Sequence, residues 1–81
     1  MEFPCEFPLK VMGDSEGIFR ETVLAIVEQH VPDLDPSRVE SRESRSGKYT
    51  SLTIPFTAES RAQLDALYQA LTDCEAVKVA L

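Results

Sequence analysis

Apolar residues recur along this chain with two different periods, and the order in which those periods follow one another leaves few folds open. A period of two puts side chains alternately on the two faces of a strand, whereas spacings of three and four gather them on one side of a helix. Phe7, Leu9 and Val11 alternate, as a first strand, until Gly13 breaks the pattern. From Gly17 to Val31 the spacing lengthens: Ile18, Phe19, Val23, Ile26, Val27 and Val31 make one stripe, with Arg20, Glu21 and Glu28 on the wet side. Pro32 closes this helix of about four turns, and Asp33-Leu34-Asp35-Pro36-Ser37 is a loop. Arg38 to Ser44 is polar apart from Val39, which suits a strand at a sheet edge, where charge discourages unwanted pairing. After a turn at Ser46-Gly47, Tyr49 to Thr57 alternates most strongly, with Leu52, Ile54 and Phe56 inward and Tyr49, Ser51 and Thr53 outward. Leu64, Leu67, Tyr68 and Leu71 form a second helical stripe, and Val77, Val79 and Leu81 alternate against Lys78 and Ala80 as a last strand.

The order is βαββαβ, so the expected fold is a ferredoxin-like α+β sandwich. Two β–α–β crossovers place both helices on one face of a four-stranded antiparallel sheet of order 4-1-3-2. Local signals fit this plan. Asp14 and Ser15 can cap the first helix with Glu16 in its first turn, and Thr57 can cap the second with Glu59 following. Pro55 cannot donate to a ladder, so it is expected where its partner strand has run out. One face of the sheet stays open, showing Lys10, Met12, Tyr49, Ser51, Thr53, Lys78 and Ala80, a largely polar set. With 81 residues, all of it reads as a single domain, 1–81.

A net charge of −6 opposes binding to a phosphate backbone, so a nucleic-acid role is disfavoured. No apolar run approaches the ~20 residues of a membrane span, and the beginning, Met1-Glu2-Phe3-Pro4-Cys5-Glu6, lacks the basic region of a signal peptide. A cytoplasmic protein is expected. Cys5 and Cys74 form no CxxC pair and have no histidines near them, so they are expected as two reduced thiols without a metal. In the expected topology they lie at opposite ends of the sheet, too far apart for a disulfide.

Several activities known on such a fold lack their residues here. The chain contains no Asn to orient water as an acylphosphatase requires, no CxxC for a metallochaperone, and only Tyr49 among outward aromatics for stacking RNA bases. His30, the single histidine, sits near a helix C-terminus, where it suits the dipole, and no Ser or Cys is spaced to use it as a base. Glu40 and Glu43 fall on opposite faces of a strand and make no acid–base pair. No enzyme and no cofactor are expected.

Two places stand out. At Gly13-Asp14-Ser15 a glycine lets the backbone approach a ligand, and a helix start offers free N–H groups to a carboxylate, although Asp14 would repel one. Around Gly47 the hairpin carries the cations Arg42, Arg45 and Lys48, which with Arg38 place four of the eight basic residues within eleven positions. Such a tip can dock an anion or an acidic partner surface.

The segments Glu2-Phe3-Pro4, Lys10-Val11-Met12-Gly13, Gly47-Lys48-Tyr49-Thr50-Ser51-Leu52-Thr53-Ile54 and Val77-Lys78-Val79-Ala80-Leu81 resemble the YbeD-like family of small bacterial proteins over essentially the whole chain. The resemblance implies a ferredoxin-like fold similar to the ACT regulatory domains, which bind small effectors such as amino acids. It implies no catalytic residues, it points by position to the turn after the first strand, and gene neighbourhood in the family suggests lipoate metabolism. The reading is therefore a regulatory binding module for an unknown small-molecule effector, acting through the open face (Lys10, Tyr49, Ser51, Thr53) and the Gly13–Ser15 turn. The alternative is a protein-interaction adaptor using the basic hairpin. Either a monomer or a weak homodimer is allowed.

Overall fold

The structure, a computed structural model, describes residues 2–15 and 17–81. Its spine is a pair of ten-residue strands, β1 (Cys5–Asp14) and β3 (Tyr49–Ala58), joined antiparallel from Cys5↔Ala58 to Asp14↔Tyr49. The short strands β2 (Glu40–Glu43) and β4 (Val77–Ala80) flank them, giving the order β2-β3-β1-β4, which is the expected 4-1-3-2 seen from the other edge. Helices α1 (Phe19–His30) and α2 (Arg61–Thr72) cover one face. Leu9, Val11, Leu52 and Ile54 from the sheet meet Val23 and Val27 of α1 and Leu67 and Leu71 of α2 in one cluster, all fully buried. Each such side chain contributes about 1.5–3 kcal/mol on leaving water.

The two strand prolines show how the register is tolerated. Lys10 and Leu81 exchange both backbone hydrogen bonds, at 3.0 and 2.8 Å, so even-numbered residues of β1 turn their N–H groups toward β4. Pro8 is one of these, and it lies beyond the end of β4. Its partner Pro55 turns toward β2, which begins only at Glu40↔Thr53. Neither proline removes a ladder bond, because no strand lies opposite its nitrogen.

The helix starts differ from the expectation. β1 continues through Asp14; the Ser15 N–H then donates to the Lys48 carbonyl at 3.0 Å, and the Ser15 and Thr50 hydroxyls lie 2.6 Å apart. Pairing with β3 thus carries the chain past the glycine as strand, and Ser15 serves the sheet. α1 begins later, with Ile18 at its N-cap and no side-chain cap; Ile18 is exposed, whereas Leu24 joins the core. The role expected of Glu16 lies outside the described residues. Likewise Thr57 stays in β3, and Ser60 caps α2 by accepting from the Gln63 N–H at 3.1 Å. Gln63 returns the contact by accepting from the Glu59 N–H at 2.7 Å, and its Nε2 donates to the His30 carbonyl at 2.8 Å, so one residue ties the start of α2 to the end of α1. Within the loop after α1, Pro36–Arg38 forms a turn of 3₁₀ helix capped by Asp35, whose carboxyl is held below its usual value by hydrogen bonds from the Ser37 hydroxyl and N–H.

The last strand departs from simple alternation. Gly13 pairs with Val77 but Met12 pairs with Val79, so Lys78 is an extra residue in β4. Such a bulge resets which face each later residue takes. Val77 and Ala80 therefore pack on the core, while Val79 and Leu81 turn to the open face. The expected inward set Val77/Val79/Leu81 is corrected to Val77 and Ala80. Cys5 and Cys74 are free thiols; the register separates the Cys5 end of β1 from the Gly13 end, near which Cys74 lies, by roughly 26 Å at 3.3 Å per residue.

Gly13 is a packing residue. A Cβ there would collide with the Ala76 backbone carbonyl oxygen and with the Phe19 ring. Gly13→Ala should therefore cost about 2 kcal/mol or more in urea unfolding, as overpacking against backbone does. Gly47→Ala, which only forces a side chain into the φ +74° conformation of an open turn, should cost about 1 kcal/mol. Equal losses for the two variants would contradict this role for Gly13.

Candidate functional site

The open face of the sheet is built by register. Odd residues of β3 and even residues of β1 and β2 point away from the helices, so cross-strand rows can be read directly. One row runs Leu81, Lys10, Thr53, Glu40, and the next runs Val79, Met12, Ser51, Arg42. A third pairs Asp14 with Tyr49. Lys10, Tyr49, Ser51 and Thr53 all lie on this face, as expected. Ser51 and Thr53 are half-buried beneath their longer neighbours.

The bulge at Lys78 changes the character of the face. Met12, Tyr49 and Val79 are each about two-fifths exposed, at 40%, 42% and 43%, and Leu81 is 71% exposed. The face expected to be largely polar thus carries an apolar strip from β4 across β1, bounded by Lys10 on one side and Ser51 and Arg42 on the other. Alternation alone could not reveal Val79 and Leu81 here, because one inserted residue inverts the pattern without altering the sequence period.

Three shallow hollows lie on this face. One of about 400 Å³ is lined by Lys10, Glu40, Ser41, Arg42, Ser51 and Thr53. A second, about 100 Å³ and mostly apolar, lies over Met12, Val79 and Leu81 and shares Lys10 and Ser51 with the first. The third, about 260 Å³, joins Met12 to Arg42 and Tyr49. Their shared residues make them one continuous trough across the sheet. Among the described residues, the ion pairs are Arg38–Glu6 at 2.9 Å and Lys78–Asp14 at 4.0 Å, and neither engages Lys10 or Arg42.

The two motifs singled out in the sequence meet at one end of the sheet. Asp14 and Ser15 share an open hollow of about 430 Å³ with Ser46, Gly47 and Lys48. The helix-start N–H groups invoked for Gly13, Asp14 and Ser15 are not at this place: Gly13 and Asp14 lie in the ladder, the Ser15 N–H is spent on Lys48, and α1 begins only at Phe19. The hairpin turn itself is tied down. Gly47 N–H donates to the Ser44 carbonyl at 2.9 Å, Ser44 N–H to the Tyr49 carbonyl at 2.8 Å, and the Tyr49 N–H to the Ser44 hydroxyl at 3.1 Å. Arg42, Arg45 and Lys48 are all exposed, with Arg42 alone also lining the trough.

Away from this face, Phe7 lies between Phe56 and Tyr68, with ring centroids 5.8 and 6.3 Å away, and burial pushes the Tyr68 phenol above its usual value. His30 packs half-buried at the end of α1 with no acid near enough to form an ion pair among the described residues. Among the described residues, no group of three or more His, Cys, Asp or Glu is able to hold a metal, and no helix is long and apolar enough to cross a membrane.

Together these features define a small ferredoxin-like α+β protein with an open, partly apolar sheet face. The chain belongs to the family described as protein of unknown function DUF493, whose model matches residues 1–81. It is 51% identical over 80 residues to a UPF0250 protein of Paraburkholderia phytofirmans, covering 99% of this chain and 90% of that one. It is 52% identical over 73 residues to a UPF0250 protein of Nitrosomonas europaea, covering 90% and 84%. The resemblance to the YbeD-like family thus extends to the full chain. The solution structure of HP0495 from H. pylori superposes with a TM-score of 0.73 at 14% identity, over 100% of this chain and 85% of that one, a likeness of fold.

Because the bulge decides which valines face out, substitution can check it. Val79→Asp should move the urea midpoint little, within about 0.5 kcal/mol. Val77→Asp, which puts a charge against the core, should cost about 2 kcal/mol or more. The reverse ranking would restore simple alternation in β4 and remove the apolar strip.

Proposed function

We propose that this protein is a non-catalytic, cytoplasmic binding module whose open sheet face takes a small acidic effector. The observation that carries this reading is the trough itself: an apolar strip beside two cations, Lys10 and Arg42, that have no ion-pair partner among the described residues. A face committed only to solubility would not place Met12, Val79 and Leu81 side by side. The regulatory character belongs to the analogy with ACT domains, as a link to lipoate metabolism belongs to the family resemblance. In this reading the Gly13–Ser15 turn contributes packing and sheet hydrogen bonds, and its hollow beside Lys48 is a secondary seat.

An NMR titration of the labelled protein against amino acids and short-chain acids, lipoate included, tests the proposal. Saturable shifts should cluster on Lys10–Met12, Ser51–Thr53 and Val79–Leu81. Saturable shifts confined to Gly13–Gly17 and Gly47–Lys48 would move the site to the turn. A silent spectrum would dismiss the effector.

A second reading rests on the tethered hairpin. A turn closed by its own hydrogen bonds and joined to β1 through Ser15 loses little entropy on docking, and its three exposed cations suit an acidic protein surface. Reversing Arg45 and Lys48 to Glu should leave the fold intact and, for an adaptor, slow association with its partner at low salt at least tenfold. Unchanged association would exclude the hairpin as the docking surface.

A further inference from the structure

We propose, resting on the reading of the open face as the binding surface, that its ligand is a monocarboxylate with an apolar chain, seated carboxylate on β3 and chain toward β4. The carboxylate end is set by chemistry and register. Ser51 lies at the centre of the trough, half-buried, with Arg42 beside it on β2 and Lys10 diagonally across on β1. A hydroxyl between an ammonium and a guanidinium is a site for one planar anion, since the Arg fork matches carboxylate geometry and the Lys donors can swing onto the same oxygens.

The direction of the chain follows from what lies on either side. Toward β4 the neighbours of Ser51 are Met12 and then Val79, with Leu81 in the adjacent row. These are the exposed apolar side chains of the strip. Two interstrand steps separate Ser51 from Val79, roughly 9.5 Å, a distance that a short alkyl chain spans. Toward β2 the trough ends on Glu40, one row from Arg42. That carboxylate has no partner in an ion pair among the described residues. It limits the charge the site tolerates to a single negative, disfavouring dicarboxylates and phosphate dianions.

The test measures affinity by NMR for acetate, hexanoate and octanoate, with hexylamine, hexanol and adipate as comparators. Affinity should rise about two- to fourfold for each added methylene, the share expected for a chain leaving water. Hexanoate should bind at least tenfold tighter than hexylamine and tighter than adipate. Lys10→Met with Arg42→Met should lower hexanoate affinity at least tenfold while leaving that of hexanol nearly unchanged. Val79→Asp, whose fold is checked by the same spectra, should abolish the dependence on chain length. Tighter binding of hexylamine or adipate would overturn the monocarboxylate class and leave the binding face standing. Absence of saturable shifts with every probe would overturn both. Sedimentation showing a dimer that Val79→Asp dissociates would assign the strip to a second copy of the chain and overturn the proposal as well.

Discussion

Everything in this molecule is hung on the ladder between β1 and β3. Ten consecutive residue pairs fix the register, and a slip of one would exchange every inward side chain for an outward one. The same pairing that seats Leu9, Val11, Leu52 and Ile54 beneath the helices therefore sets Lys10, Met12, Ser51 and Thr53 on the open face. Core and candidate site are two sides of one constraint. Pro8 and Pro55 take part in it too: each sits in the central pair of strands, yet each points its missing N–H past the end of a shorter neighbour. Pro55 lies just past Thr53, where the pairing of β2 with β3 begins, and Pro8 lies opposite it in the central pair.

That much was legible in the sequence, because alternation and helical spacing report directly on burial. The strand order, the stripe of α2, most of that of α1 and the inward sets of β1 and β3 follow from them, whereas Ile18 and Leu24 exchange the places the spacing gave them. The ends of elements were less legible. Ser15 and Ser60 are both chemically suited to capping, and only Ser60 does so; Ser15 is drawn into the sheet because Thr50 and Lys48 lie opposite it. A cap is chosen by where the preceding strand stops pairing, which depends on the partner strand and not on the local sequence. Lys78 was illegible for a related reason. Val-Lys-Val-Ala-Leu has the pattern of an unbroken strand, and the bulge arises where β4 meets Gly13, whose missing side chain lets the Ala76 carbonyl and the Phe19 ring approach β1 closely.

Gly13 thereby acquires a different meaning from the one its turn suggested. Its neighbours are the start of α1 and the entry to β4, so it lets helix and edge strand close on the sheet at the same point. The β4 bulge sits opposite this residue, and the bulge brings Val79 and Leu81 to the open face. The glycine thus bears on the candidate site through backbone geometry, at a distance, and needs no contact with a ligand to do so.

The charge of the whole chain decides what kind of recognition such a face can perform. With a net charge of −6, long-range attraction of an anion is absent, and at physiological salt the remainder of the protein is screened beyond about 8 Å. Under the proposed reading Lys10 and Arg42 would therefore act only on a carboxylate already at the sheet, where hydrogen bonds and a lower local dielectric would favour it. A bare anion has no reason to arrive and little to hold it. An apolar chain supplies what the field does not, because burial against Met12, Val79 and Leu81 is indifferent to net charge. Under the proposed reading the cations would then orient the ligand and select its head group, and the strip would supply most of the affinity. The hairpin is placed differently: the hollow at Lys48 is lined by Asp14, Ser15, Ser46 and Gly47, without a large apolar side chain, and Arg45 is exposed on the same turn, so an adaptor using that surface would act through charge and would need a partner large and acidic enough to bring its own field.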